Sequence, residues 1–141
     1  MKKIAAVLLV DDDEEDRYFF REALREVDAT VQYLDASDGQ QALQMLSAQG
    51  ALLPDLIFLD LNMPLMSGKQ CLSALMQSES LSHIPVIVYT TSGQEQDVKE
   101  TRKMGAAHFI TKPALFDDIC QAIGDMLGKK WAHGSRFSTA A

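Results

Sequence analysis

The sequence predicts an α/β protein whose five parallel strands form one sheet with helices on both faces. Short runs of strand-forming residues recur five times along the chain, and a stretch with helical spacing of apolar residues follows each run. The first run, residues 4–10, is apolar throughout, which is typical of a parallel strand buried on both faces. Repeated strand–helix units imply right-handed crossovers. For this class we expect the flavodoxin-like strand order 2-1-3-4-5.

Local patterns place each element along the chain. The strands are expected at residues 4–10, 30–35, 56–59, 85–89 and 107–110. The helices are expected at residues 14–27, 40–49, 69–77, 94–104 and 115–127. Gly50, Gly105 and Gly128 are expected to end the second, fourth and fifth helices, because glycine accepts the left-handed backbone found at many helix ends.

Length and charge limit the classes of protein to consider. A chain of 141 residues with 47% hydrophobic residues can bury the core of one domain. We place that domain at residues 1–128 and treat 129–141 as a C-terminal tail, which is too short for a second domain. The net charge of −7 argues against a nucleic-acid surface and against attraction to an anionic membrane.

The N-terminal residues and the cysteines indicate a location. Two lysines and a short apolar run open the chain, but acids follow where a signal peptide would have small residues. No apolar stretch reaches the ~18 residues that a membrane span requires. Cys71 and Cys120 lack metal-type spacing, so we expect two buried free thiols in a reducing compartment. These features predict a cytoplasmic protein.

Carboxylates follow two strands that should be neighbours in the sheet. Asp11 and Asp12 come directly after the first strand, and Asp60 comes directly after the third. Neighbouring strands lie ~4.8 Å apart, so these side chains should meet at one edge of the sheet. Each like-charge pair ~5 Å apart costs ~3 kcal/mol, so the cluster needs a proton, a counter-charge or a cation. Such hard oxygen ligands favour Mg²⁺.

Part of this acidic run has a simpler explanation. Residues 11–16 are consecutive acids at the start of a helix, where acids commonly cap the helix or interact with its dipole. We assign residues 13–16 to that role. Asp60 taken alone could likewise be a strand-end residue that begins a turn.

The fourth and fifth strands add a hydroxyl and an ammonium to the same edge. Thr90 ends the fourth apolar run, and Lys112 follows the fifth. Either residue alone could be an ordinary polar residue of the surface. Together with the acids they suit phosphoryl transfer, which depends on positioning and on neutralisation of charge. The acceptor would be a carboxylate, and the product an aspartyl phosphate.

The sequence resembles the receiver domain of two-component response regulators over residues 3–127. Four segments stand in the order and spacing of that family: LLVDDDEEDR, DLIFLDLNMPLMSG, IPVIVYTTSG and GAAHFITKP. The LDLNMP and TTSG forms are similar to stand-alone regulators that are paired with bacterial phytochrome-type histidine kinases. With only a short tail after the domain, the resemblance implies a regulator without an output domain.

The resemblance implies a metal site built on the acidic residues. Asp60 would be the phosphoacceptor and one of the metal ligands. Asp12 would bind Mg²⁺ directly, Asp11 would bind it through water, and Asn62 would bind it through the backbone carbonyl.

The resemblance also implies a switch. Thr90 would bond a phosphoryl oxygen, and Lys112 would pair with the phosphoryl charge. Lys112 and Pro113 would be joined by a cis peptide bond, and Gly68 would let the loop after the phosphoacceptor turn closely. Phe109 stands at the switch position where tyrosine is frequent, so the ring could move but offers no hydroxyl; a plain core aromatic is the alternative.

The function that this resemblance implies is signalling, with only self-phosphorylation and self-dephosphorylation as chemistry. The implied partners are a phosphoryl donor and a downstream protein. The donor would be a histidine kinase, of the phytochrome type by the subfamily resemblance, or a phosphotransfer protein. A homodimer fits the subfamily.

Two alternatives stay open. One is a Mg²⁺-dependent phosphatase of the haloacid-dehalogenase type, which needs a second Asp where Asn62 stands. The other is an adaptor of the same fold that ignores phosphorylation. Trp131 and Phe137 of the tail could dock on a partner or on the domain itself.

Overall fold

Strands and helices alternate along the chain in the computed structural model, which describes residues 3–129 and Trp131. The strands are β1 (Ala6–Val10), β2 (Gln32–Ala36), β3 (Leu56–Leu59), β4 (Val86–Thr90) and β5 (His108–Thr111). The helices are α1 (Glu14–Val27), α2 (Gly39–Ser47), α3 (Gly68–Gln77), α4 (Glu95–Met104) and α5 (Phe116–Gly128).

The strands form one parallel sheet in the order β2-β1-β3-β4-β5. This order confirms the predicted flavodoxin-like fold. Val10 and Leu59, the last residues of β1 and β3, are partners in the register of the sheet. The residues that follow these two strands therefore start from adjacent positions at the carboxyl edge, where ligands of such folds bind.

Each face of the sheet is covered by its own apolar cluster. On one face, α1 and α5 pack over the rings of Phe20, Phe58 and Tyr89, whose centroids lie 4.9, 5.4 and 6.1 Å apart in edge-to-face pairs. On the other face, α2 and α3 contribute residues such as Leu46 and Leu72. Because β1, β3 and β4 are buried along their whole length, their carboxyl ends are held in fixed positions.

Two strands, β1 and β2, begin two residues later than the sequence predicts. At the start of β1, the Asp55 carboxylate accepts the backbone N–H groups of Ala5 and Ala6 at 2.7 and 3.0 Å. A side chain thus replaces the expected ladder partner there. Before β2, the Thr30 N–H donates to Asp28 Oδ1 at 3.0 Å, so residue 30 belongs to the turn after α1.

The helix ends differ from the prediction at two of the three glycines. Gly105 ends α4 with a φ of 110°, as predicted. Helix α2 stops at Ser47, and Gly50, with a φ of 75°, lies in the segment beyond it. Gly128 is the last residue of α5, and Lys129 is its C-cap. The chain leaves α2 and α5 through extended C-cap residues, so neither helix needs a left-handed glycine there.

Helix α4 contributes little buried surface to the domain and forms ion pairs with α3. Thr101 is the buried residue of this helix within the described part of the chain, and its hydroxyl donates to the Asp97 carbonyl at 2.8 Å. Lys69 of α3 pairs with Asp97 at 2.7 Å and with Glu100 at 2.9 Å. Ion pairs of Lys69 therefore join α3 to α4, beside the apolar packing of Met104 against the cluster under α2 and α3.

Trp131 packs on the domain itself. Its side chain is buried in the same cluster as Ile4, which precedes β1, and Met126 of α5. The indole N–H donates to the Met126 carbonyl at 2.8 Å. Of the two docking alternatives for this residue, the structure supports docking on the domain, whereas Phe137 lies outside the described residues.

A Trp131→Ala substitution should lower the free energy of unfolding by about 2–4 kcal/mol, because it opens a cavity in this cluster. Trp131→Phe keeps most of the packing and loses the indole hydrogen bond, so its cost should be about 1 kcal/mol. Urea denaturation followed by circular dichroism measures both. Equal stability of the alanine variant and the wild type would contradict the packing described here.

The two thiols differ in burial. Cys71 is buried and Cys120 is only partly buried, and both are free. The prediction of two buried thiols is wrong for Cys120. Ile119 and Ile123 form the core-facing stripe of α5, and Cys120 lies one residue around the helix from it.

None of the helices in the described residues combines the length and apolarity of a membrane span.

Candidate functional site

Three carboxylates meet at the carboxyl edge of the sheet. Asp11 and Asp60 follow β1 and β3 directly, and their backbone N–H groups donate to Ala36 and Val10 carbonyls, both at 3.0 Å. Asp11 and Asp60 are buried, while Asp12 is exposed. One oxygen from each of the three side chains lies within 4.8 Å of the others. The register of the sheet thus brings together the acids that the sequence analysis singled out.

Lys112 supplies the counter-charge to this cluster. Its ammonium lies 2.8 Å from Asp11 Oδ2, 2.8 Å from Asp16 Oδ2 and 3.5 Å from Asp60 Oδ2. The side chain is only 8% exposed, and the ammonium lies 5.8 Å from the centre of the Tyr89 ring. A single positive charge is therefore shared by three carboxylates in a partly desolvated pocket.

The pocket shifts two ionisation equilibria in opposite senses. Burial raises the pKa of Asp11 to about 6, against the stabilising bonds from Lys112 and from the Asp13 N–H. Burial by itself would lower the pKa of Lys112, but the bonds to Asp11 and Asp16 and the charge of Asp60 hold that pKa above its usual value. Lys112 is therefore charged near neutral pH, whereas Asp11 takes up a proton in mildly acidic solution.

Asn62 links the acidic cluster to Thr90. The Asn62 backbone N–H donates to Asp60 Oδ1 at 3.3 Å, and its side-chain amide donates to Thr90 Oγ1 at 3.4 Å. Thr90 is fully buried at the end of β4. β3 and β4 are neighbours in the sheet, so the hydroxyl stands at the same edge as the carboxylate. The link through the amide of Asn62 was not foreseen.

Gly68 lies directly against the loop that carries Asp60. Its N–H donates to the Leu61 carbonyl at 2.9 Å. A Cβ atom at this position would lie 2.2 Å from the Asp60 carbonyl oxygen and 2.5 Å from Leu61 Cα. This close approach confirms the predicted reason for a glycine at position 68.

The peptide bond between Lys112 and Pro113 is trans, since no cis bond occurs in the described residues. The prediction of a cis bond is wrong. Trans is the form favoured by about 0.5–1 kcal/mol before proline. The Lys112 N–H donates to the Thr90 carbonyl at 2.7 Å, and this contact places the lysine beside the pocket with a trans bond.

Phe109 is half-buried on β5, where it packs against the cluster under α2 and α3. It pairs with Val88 in the register of β4 and β5. This position is compatible with a ring that moves and equally with a plain core aromatic.

The structure also gives Asp16 a contact that the sequence interpretation missed. Residues 13–16 were assigned to capping, and Asp13 does cap α1 by accepting the Asp16 N–H at 3.0 Å. The Asp16 side chain, however, reaches Lys112. The available signal was its position: α1 begins at the carboxyl edge, so its first turn stands beside the residue that follows β5.

An open cleft of about 790 Å³ gives access to the site. Its lining includes the following residues: Asp12, Asp16, Tyr18, Asp60, Asn62, Thr91 and Lys112. A cleft of this size admits a phosphoryl donor, and its acidic rim favours cations over free anions.

Fold and site together define a class of protein, a parallel α/β domain with an acidic pocket at the carboxyl edge of its sheet. The chain matches the response regulator receiver domain family over residues 7–124, and it belongs to that family. Receiver domains are signalling modules of two-component systems rather than metabolic enzymes.

Individual relatives agree with this assignment. The chain is 36% identical over 121 residues to the chemotaxis protein CheY of Halobacterium salinarum, which covers 86% of this chain and 95% of the relative. It is 31% identical over 121 residues to the response regulator Rcp1 of Synechocystis sp., with 83% and 82% covered.

Solved structures resemble the chain over a similar length. The phosphorylated cyanobacterial phytochrome response regulator RcpA matches with a TM-score of 0.80 at 29% identity, over 87% of this chain and 91% of that one. The Mn²⁺-bound form of Rcp1 matches with a TM-score of 0.77 at 28% identity, over 86% and 91%.

Proposed function

We propose that the chain is a response regulator in which Asp60 accepts a phosphoryl group in a Mg²⁺-dependent reaction. The observation that carries this proposal is the position of the Asp60 carboxylate. It lies at an open cleft, 3.5 Å from the Lys112 ammonium, and one of its oxygens lies within 4.8 Å of oxygens of Asp11 and Asp12. Residues 1–128 would form the receiver domain, and residues 129–141 would follow it as a C-terminal tail.

The donor set fits a hard divalent cation. Asp11, Asp12 and Asp60 present carboxylate oxygens within 4.8 Å of one another, which is the ligand chemistry of Mg²⁺. Asp12 and Asp60 would bind the ion directly, Asp11 through water, and Asn62 through its backbone carbonyl. When bound, Mg²⁺ would neutralise charge on the transferring phosphoryl group. The Mn²⁺ in the Rcp1 structure supports a divalent cation in a related protein.

Asp60 is the nucleophile of the proposed reaction. One of its carboxylate oxygens forms the bond to phosphorus as the bond between phosphorus and the donor atom breaks, and the electron pair leaves with the donor. Lys112 pairs with the phosphoryl oxygens, and the Thr90 hydroxyl donates to one of them. The Lys112 ammonium lies 3.5 Å from the carboxylate, and Thr90 is linked to it through Asn62.

The same residues would convert phosphorylation into a change in the shape of the protein surface. The phosphoryl group adds about one negative charge and three acceptor oxygens to Asp60. Thr90 moves toward this group and leaves its bond with Asn62, and the space beside it is open to the Phe109 ring. A shift from ~1% to ~99% of the molecules in the active conformation needs ~5.5 kcal/mol of differential stabilisation. Two or three charge-assisted hydrogen bonds can supply that free energy.

The proposed partners follow from the family and its relatives. The donor would be a histidine kinase or a phosphotransfer protein, and the likeness to RcpA and Rcp1 favours a kinase of the phytochrome type. The receiver of the signal would be another protein, and a homodimer is compatible with this scheme. We propose a cytoplasmic location, where such kinases present their phosphohistidine.

A phosphatase of the haloacid-dehalogenase type is less well supported. That chemistry needs an acid/base carboxylate at position 62, where this chain has an amide that donates to Thr90. An amide does not exchange protons in this way.

Incubation with acetyl phosphate and Mg²⁺ tests the proposal. We expect one phosphoryl group per chain by intact mass, and transfer from a phosphorylated histidine kinase of the same cell. Turnover of p-nitrophenyl phosphate without a stable adduct would favour the phosphatase. Partner binding that is unchanged by phosphorylation would favour the adaptor.

Proton competition at Asp11 should make cation binding depend on pH. Because burial raises the pKa of Asp11 to about 6, this carboxyl is neutral below that pH and ionised above it. Mg²⁺ affinity should fall about tenfold from pH ~7.5 to pH ~5. Isothermal titration calorimetry measures this change. Asp11→Asn should bind more weakly and lose most of the pH dependence, and a flat profile in the wild type would contradict the prediction.

A further inference from the structure

The ammonium of Lys112 is closer to a helix residue than to the proposed phosphoacceptor. Asp16 Oδ2 lies 2.8 Å from Nζ, whereas Asp60 Oδ2 lies 3.5 Å from it. Asp16 stands in the first turn of α1, and its side chain is 38% exposed. The second short contact of the ammonium, to the buried Asp11, is also 2.8 Å long. The ammonium thus donates a hydrogen bond to Asp16, and it lies closer to Asp11 than to Asp60.

The neighbouring acids of α1 do not share this contact. Among the described residues, the carboxylates within ion-pair distance of Lys112 are those of Asp11, Asp16 and Asp60. Glu15 is exposed on the same helical turn. It carries the same charge as Asp16, but it has no part in the ion pairs of the lysine.

We propose that Asp16 is a positioning residue, which holds Lys112 on the α1 side of the pocket in the unphosphorylated protein. Phosphorylation then draws the ammonium from Asp16 to the phosphoryl group on Asp60. This inference rests on the proposed function. In this scheme Asp16 acts through the lysine, with which it forms a hydrogen bond.

Charge balance gives the direction of the effect. Phosphorylation raises the negative charge at Asp60 from about one to about two, so the ammonium is attracted there. The pair with Asp16 stabilises the resting state and is lost in the phosphorylated one. A variant without this pair should therefore favour the phosphorylated state, by the modest amount that a partly exposed ion pair contributes.

Beryllofluoride, which mimics a phosphoryl group on aspartate, measures this preference. Its affinity is determined by isothermal titration calorimetry at saturating Mg²⁺, so that altered cation binding does not enter. Asp16→Asn should bind beryllofluoride about two- to fivefold more tightly than the wild type. Asp16→Glu retains a carboxylate within reach of Lys112 and should restore the wild-type affinity.

Glu15→Gln is the matched control, because it removes one acidic charge from the same helical turn. It should bind beryllofluoride as the wild type does. If Asp16→Asn equals Glu15→Gln, or binds more weakly, the exchange of Lys112 is refuted while the proposed function stands. If the wild type itself does not bind beryllofluoride with Mg²⁺, the proposed function fails, and the inference fails with it. Thermal unfolding of each variant verifies that the fold is intact.

Discussion

Replacing Asp60 by asparagine should abolish covalent labelling of the chain by acetyl phosphate and Mg²⁺. The carboxylate oxygen that forms the bond to phosphorus is lost, and an amide is a far weaker nucleophile. The side chain keeps its size, so the loop that Gly68 supports is not disturbed. Intact mass spectrometry should show labelling fall from about one phosphoryl group per chain to background.

Asp125→Asn provides the control for this experiment. Asp125 is exposed on α5, where it accepts a hydrogen bond from Gln121, and its substitution removes the same charge. This variant should be labelled like the wild type. Stoichiometric labelling of Asp60→Asn would show that another residue is the acceptor.

Gly68→Ala should lower the free energy of unfolding by about 3 kcal/mol and also slow the labelling of Asp60. The new methyl group would lie 2.2 Å from the Asp60 carbonyl oxygen. Rotation of a side chain cannot relieve this overlap, because the atoms in contact belong to the backbone. The loop must shift, and the carboxylate of Asp60 shifts with it. Urea denaturation gives the stability, and a time course of labelling gives the rate.

The same substitution at Gly128 tests whether the loss is specific. A Cβ atom there meets nothing within 4 Å, and the residue is the last of α5. Gly128→Ala should leave labelling unchanged and alter stability by no more than about 1 kcal/mol, in the stabilising direction. If Gly68→Ala were as stable as the wild type, the close approach at Asp60 would be wrong.

The fold was predictable because its signals are local and repeated. The apolar run of β1 and the helical spacing in α1 each specify one element, and the parallel order follows from their alternation. The first and last residues of the strands and helices were less predictable. They depend on single side chains such as Asp55, which bonds the start of β1 from a distant part of the chain. The burial of Trp131 was one of two open alternatives, because the sequence does not say which surface a tail residue meets.

The site was predictable to the extent that strand ends determine it. Asp11, Asp60, Thr90 and Lys112 end or follow strands, so the topology alone brings them together. Asp16 was missed because acids at a helix start already have a sufficient local explanation. Its contact with Lys112 joins residues 96 positions apart, and no local pattern encodes it.

The sparse apolar packing of α4 has a consequence for local stability. Thr101 is the buried residue of this helix in the described chain, and Lys69 joins the helix to α3 by ion pairs. Little buried hydrophobic surface is therefore exposed when the helix unfolds locally. Elements of that kind unfold locally at a lower free energy than the rest of a domain. The amide protons of α4 should therefore exchange with deuterium sooner than those of α1. Added salt should accelerate that exchange selectively, because it screens the lysine.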